Sequence, residues 1–274
     1  MEIGTNKGKP IVHLLLLIGS ISMLGPFLWM VLTTFKTYAE SIQVPPLLFP
    51  TSFNFSNYVE VFELLPFVTF MKNTFIVTIV IVIGQLVFCS LAAYAFARIE
   101  FPGRNVLFLL VLSVLMVPSQ VFLLPQYEIM AKLGLLNTLT AVILPSLFSA
   151  FGTFLLRQFF MGLPKELEEA ARLDGCNHIQ IFWKIMLPLA KPGLIALGIY
   201  TALFAWNNLM WPLIVNSSTD SMVLSVGLAS LQGQYSTNYP VLMAGSFLAM
   251  IPMLVLFMFL QKQFIEGIAL TGGK

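Results

Sequence analysis

The chain has 274 residues, 14 of them basic and 12 acidic, and 58% of its residues are hydrophobic. A charged share of 9% lies far below the ~25% of soluble domains, so the sequence cannot clothe a soluble domain of this size, and a net charge of +2 gives no reason to invoke nucleic acid. The two cysteines, Cys89 and Cys176, are too few and too far apart for a disulfide framework or a metal-ligand spacing.

A membrane-spanning helix needs ~20 mostly apolar residues. Six runs without acidic or basic side chains have about that length: 11–35, 73–97, 106–125, 139–156, 192–215 and 239–260. The expected fold is an all-α membrane protein with six transmembrane helices. Basic residues precede the first run, as in a secretory signal, but it is longer than a signal core and no small-residue cleavage site follows, so it reads as retained. Next comes a loop, 36–67, whose "VPPLLFP" and "NFSNY" supply turn and cap residues. Lys72 is expected to snorkel at the boundary of the second span.

The second span carries Gln85, and Ser119 and Gln120 lie within the third. Pro118, Pro145 and Pro212 are read as helix kinks. The loop 163–191 holds the chain's densest charge, six of the ten residues from Lys165 to Asp174. Pro164 suits a first helical position and Gly175 a stop, which predicts a helix over 164–174 with Glu168 and Arg172 paired at i,i+4. Leu163, Leu167, Ala170 and Ala171 share one face of it. Asn177 then caps a second helix through Met186, which Pro188 ends. In the fifth span Trp206, Asn207, Asn208 and Trp211 crowd together, and amides with aromatic faces suit a sugar. Beyond it, a half-buried segment from Met222 and the polar "SLQGQYSTN" lead into the sixth span.

Basic residues in short loops mark the cytoplasmic side. With an inside N-terminus, eleven of the 14 are cytoplasmic, Lys7, Lys9, Lys262 and Lys274 among them, and Lys36, Lys72 and Lys132 are external. Both termini and the loop 163–191 are therefore expected in the cytoplasm. The chain divides into an N-terminal segment over 1–70, a permease core over 71–262 and a tail over 263–274. The tail ends in "TGGK", which lacks the Ser or Thr and the helix of a phosphate-binding loop.

Glu169-Ala170-Ala171, Gly175 three residues on, then Ile185, Leu187 and Pro188 after nine more, match the EAA-x3-G-x9-I-x-LP signature at every defined position. With "SLAAYAFARIEFPGR" and "FAWNNLMWPLIV", the chain resembles the smaller permease subunit of maltose and multiple-sugar type ABC importers along its whole length. The resemblance implies an ABC importer type I permease that is not an enzyme, and a coupling loop seated in an ATPase. There Glu169 meets the cleft rim, Ala170 and Ala171 pack inside, and Gly175 allows the turn. It implies as partners a second related permease, two ATPase subunits that bind ATP and magnesium, and an extracytoplasmic solute-binding protein; this chain would hold no cofactor itself. The cargo would be a sugar or oligosaccharide carried across the cell membrane along a pathway using Gln85, Gln120, Trp206, Asn207, Asn208 and Trp211.

Two other classes compete. A secondary transporter of a small polar solute needs ionisable groups at mid-membrane, and the span cores hold no Asp, Glu, Lys or Arg. A membrane-embedded enzyme needs clustered His, Cys or acidic residues, and none is visible.

Overall fold

The computed structural model describes residues 9–233 and 236–272, with side chains over 12–233 and 236–261. Among the described residues every regular element is a helix, with no strand. They fall into two compact units, one within 9–67 and 227–251 and the other within 68–226 and 252–272.

In the first unit, α1 (Lys9–Thr33) is long and apolar enough to cross a membrane, and its apolar window, within Val12–Thr33, is 0% buried. Helix α2 spans Ser56–Leu64, and Asn54 Oδ1 secures its start by accepting from Ser56 N at 3.0 Å. The intervening loop is tightly built. Lys36, which topology alone would leave in solvent, is 1% exposed; its Nζ donates to Leu47 O at 2.6 Å and lies 4.2 Å from the Trp29 ring centroid. Desolvation lowers its pKa, partly opposed by the Glu40 charge. Glu40 is held at about 2 by the Thr51 hydroxyl first and by the Thr37 and Thr51 amides. Asn57 closes the loop, its Nδ2 donating to Thr34 O and Lys36 O at 2.7 and 2.9 Å.

The second unit opens with α3 (Phe67–Arg98), a second helix that passes the length and apolarity test. The next expected span, 106–125, is not straight. Helix α4 (Arg104–Ser113) tightens into a 3-10 turn ending at Met116, and the chain then bends by 99° into Ser119–Lys132, which includes α5 (Leu123–Lys132). Pro118 explains the break: it has no N–H for the helix ladder, and it drives Val117 into the extended region, φ −92 and ψ 126.

The fourth run is likewise two pieces. Helix α6 (Leu139–Ile143) runs into the 3-10 turn Leu144–Ser146, and α7 (Ala150–Gly162) follows at a bend of 42°. Pro145 sits inside the 3-10 turn, while Ser149 caps α7 through Gly152 N at 3.2 Å. The charged loop holds α8 (Glu166–Leu173) and α9 (His178–Leu189), and α10 (Lys191–Trp206) leaves α9 at 75°. Asn207 to Leu209 break the fifth run before α11 (Met210–Val215), so Pro212 lies within a new helix and does not kink a continuous span. The expected segment after Met222 is α12 (Leu224–Ser230), and α13 (Tyr239–Gly272) is the third helix long and apolar enough to cross. Length and composition allow up to six spans if each bent pair is counted as one, a count in which α10 is paired with α9 of the charged loop.

Candidate functional site

The charged loop folds by local rules. Glu166, Glu168 and Glu169 occupy the first turn of α8 and Arg172 its last, matching the helix dipole at both ends. The helix starts at Glu166, two residues later than Pro164 suggested, and stops at Gly175, whose φ is +82. There Cys176 N donates to Ala171 O at 2.9 Å and Gly175 N to Arg172 O at 3.0 Å, the paired bonds of a Schellman cap. Asn177 starts α9 as expected, with a reciprocal capping box to Gln180, both bonds 2.9 Å. Pro188 does not end α9. A π-turn over Phe182–Met186 precedes it, with Leu187 N bonded to Phe182 O, so the helix absorbs the proline and continues to Leu189.

The motif divides into a frame and a face. Ala171, Ile181, Phe182 and Met186 are buried in one core with Cys89 and Tyr94 of α3, Leu156 and Phe160 of α7, and Leu197 of α10, and Leu163, Ile185 and Leu187 pack against it. Ala171 is therefore committed to its own chain, which corrects the expectation that both alanines face a partner. The outward set is Glu169, Ala170, Gly175 and Pro188, with Leu173, Ile179 and Trp183 exposed by 90%, 70% and 52%. Water gains nothing from such a surface.

Sequence reasoning missed the brace of this frame. Glu168 does not pair with Arg172; its Oε1 lies 3.1 Å from Arg98 Nε, both side chains nearly buried. Arg98 also donates from Nε to Phe160 O at 3.0 Å and from Nη2 to the Phe160 and Leu163 carbonyls. The end of α3 is thus fastened to the entry of α8. In sequence Arg98 is one more positive charge closing an apolar run, and topology already accounted for it. Beside the pair opens a cleft of about 620 Å³ where Arg98, Arg104, Lys165 and Arg172 face Glu168 and Glu169.

The residues expected along the pathway fall into two groups. Gln85, Trp206 and Trp211 are buried. Trp206 stands edge-on to Phe75 at 5.0 Å, and Trp211 Nε1 donates to Ala141 O at 3.0 Å; neither offers an open ring face. Gln85 spends its amide on Ser146 O and Thr201 Oγ1. Asn207 is exposed and caps α10, its Nδ2 on Leu203 O at 2.8 Å, while Asn208 is half-buried and its carbonyl accepts from Ser225 Oγ at 2.7 Å. The two asparagines stand at a helix break and not within one continuous helix. Gln120 is exposed at the break of the third run, apart in sequence from this group. His13 sits in α1, and Lys7, Lys262 and the final "TGGK" have side chains outside the described residues.

Long apolar helices, helix pairs broken at mid-run, and a folded charged loop with an outward apolar face define an integral membrane transport component. The family of binding-protein-dependent transport system inner membrane components matches residues 85–269, and the chain belongs to it. It is a membrane permease component of an ABC transporter, and it is not an enzyme. It is 41% identical to the arabinooligosaccharides transport system permease protein AraQ of Halalkalibacterium halodurans, over 98% of this chain and 99% of that one. It is 33% identical to the sn-glycerol-3-phosphate transport system permease protein UgpE of Pectobacterium atrosepticum, over 93% and 94%. Among solved structures, a bacterial ABC transporter involved in the import of the acidic polysaccharide alginate superposes with a TM-score of 0.82 at 25% identity, covering 96% of this chain and all of that one.

Proposed function

We propose that the chain is half of an import pore for a neutral oligosaccharide, with six spans, both termini in the cytoplasm, and the loop 163–191 docked on a separate ATPase. The outward apolar face of that loop carries the docking reading: Leu173, Ile179 and Trp183 stand on a frame fastened from behind by Arg98 and Glu168. The basic residues flanking the spans support the orientation. A second permease chain completes the pore, two ATPases bind ATP and magnesium, and a solute-binding protein delivers cargo from outside. Nucleotide-driven closure of the ATPases moves α8 and α9, and α10, which begins two residues after α9 ends, carries the motion into the membrane.

A neutral sugar fits better than a phosphorylated polyol. The apolar runs 11–35, 73–97, 106–125, 139–156, 192–215 and 239–260 contain no lysine or arginine to match a phosphate, and the amides of Asn207 and Asn208 at the break beyond α10 can pair with hydroxyls. Uptake of labelled arabinotriose and of labelled sn-glycerol-3-phosphate by cells carrying this system as their sole importer separates the two. Arabinotriose should enter and the phosphate should not; the reverse would overturn the substrate reading. Asn207→Ala and Asn208→Ala should each slow arabinotriose uptake with the ATPases still co-purifying, and normal uptake in both would remove the asparagines from the pathway.

A further inference from the structure

We propose that Gln85 is a positioning residue that ties the break in the fourth span to the helix leaving the coupling loop. The proposal rests on that loop being the ATPase contact. Helix α3 grips the break from one side. Gln85 Nε2 donates to Ser146 O at 2.9 Å, and one turn later Cys89 Sγ lies 3.4 Å from Ser149 N and 3.5 Å from Ser149 O. Gly84 faces Leu147 in the bend, where a Cβ would stand 2.5 Å from Leu147 Cδ2, the tip of a side chain that can turn aside. Residues 146 to 149 are therefore held at both ends of the bend.

The other half of the Gln85 amide reaches a different element. Its Oε1 accepts from Thr201 Oγ1 at 2.8 Å, and Thr201 is 1% exposed within α10. One turn nearer the coupling loop, Leu197 packs on the first turn of α7, where a Cβ on Gly152 would meet Leu197 Cδ1 at 3.0 Å and Cys89 Sγ at 3.1 Å. A single buried side chain thus joins three elements.

A buried amide that loses either partner bears the full desolvation cost, so the arrangement resists partial slippage. When α10 shifts with the coupling loop, Thr201 carries Gln85, and Gln85 carries Ser146. The bend at 147–149 then follows the nucleotide state as part of a discrete rearrangement and does not deform on its own.

Hydrogen exchange tests this in the purified complex with its partner permease and ATPases in lipid nanodiscs. The peptide covering 144–153 is compared between nucleotide-free and ATP–vanadate-trapped states. Wild type should show a trapping-dependent change. Gln85→Leu should reduce that change roughly fivefold or more, and so should Thr201→Val, which removes the hydroxyl at nearly constant volume and serves if the first variant fails to fold. Thr201→Ser, which restores the donor, should restore the response, a rescue that loss of packing alone would not give. Equal responses in all four proteins, or no response in wild type, would overturn the proposal alone. ATPases that neither co-purify nor trap nucleotide would overturn the coupling reading and the proposal with it.

Discussion

The charged loop and the broken fifth span invert the usual placement of side chains, and in opposite senses. In the loop, a carboxylate and a guanidinium are drawn inside, Glu168 against Arg98, while Leu173, Ile179 and Trp183 are left outside. At the break beyond α10, Trp206 and Trp211 are inside and the amide of Asn207 is outside. Apolar groups turned outward on a braced frame suit a protein partner that covers them. Polar groups turned outward at a helix break, with the aromatic residues holding the break in place, suit a wet passage.

Removing one half of the buried pair upsets this contrast most severely. Glu168→Ala removes the counter-charge of Arg98 and leaves it only the Phe160 and Leu163 carbonyls, and loss of one partner of a buried pair costs up to ~3–5 kcal/mol. The purified subunit should melt well below wild type, and exchange should rise across α8. An unchanged melt would show that the frame does not depend on the pair. Trp211→Phe is the corresponding cut at the break. It leaves Ala141 O without its indole donor, which costs ~1–3 kcal/mol, and it should loosen α11 against α6 as read by exchange at 139–143.

Gly175→Val probes the turn between frame and face. No atom lies within 4 Å of a Cβ built there, so the strain is entirely that of φ +82, roughly 1–2 kcal/mol for an ordinary residue and more for a β-branched one. Uptake should fall while the protein remains in the membrane, and Gly175→Ala should fall less. Normal uptake in the valine variant would remove the turn from the mechanism.

The smallest effect belongs to the loop after α1, which buries Lys36 and ties Glu40 to Thr37 and Thr51 without any motif. The pKa of Glu40 is about 2 when folded against an ordinary value near ~4.3, so its hydrogen bonds stabilise the loop fully above the ordinary value. That contribution is lost as pH falls through the interval towards the folded value. Protection of the Thr37 and Thr51 amides, measured relative to their intrinsic exchange at each pH, should fall across that interval in wild type. In Glu40→Gln it should be low already at neutral pH and flat below it.

Most of the helical layout was legible because lipid imposes a length and forbids charge, and both constraints are written in composition. The breaks were legible only in part. Pro118 signalled its bend, but the angle of 99° depends on packing. Pro188 resembled a stop and was absorbed by a π-turn, a register choice set by the buried Phe182 and Met186 on either side. The signature of the charged loop identified its family and its turn glycine. It could not separate Ala170 from Ala171, which are adjacent in the motif and differ only in which way the helix presents them. The Arg98–Glu168 pair joins residues 70 apart in sequence, and no local pattern announces a contact over that distance.

Coupling stands or falls on whether the outward face of the charged loop is an interface. Ile179→Cys, made together with Cys176→Ser so that only the buried Cys89 remains besides it, gives the direct measurement: its rate of maleimide labelling in the isolated subunit and in the complex with the ATPases. Labelling should be rapid in the subunit alone and strongly suppressed in the complex. Equal labelling in both would mean that the ATPases do not cover this face, and the coupling assignment would fall.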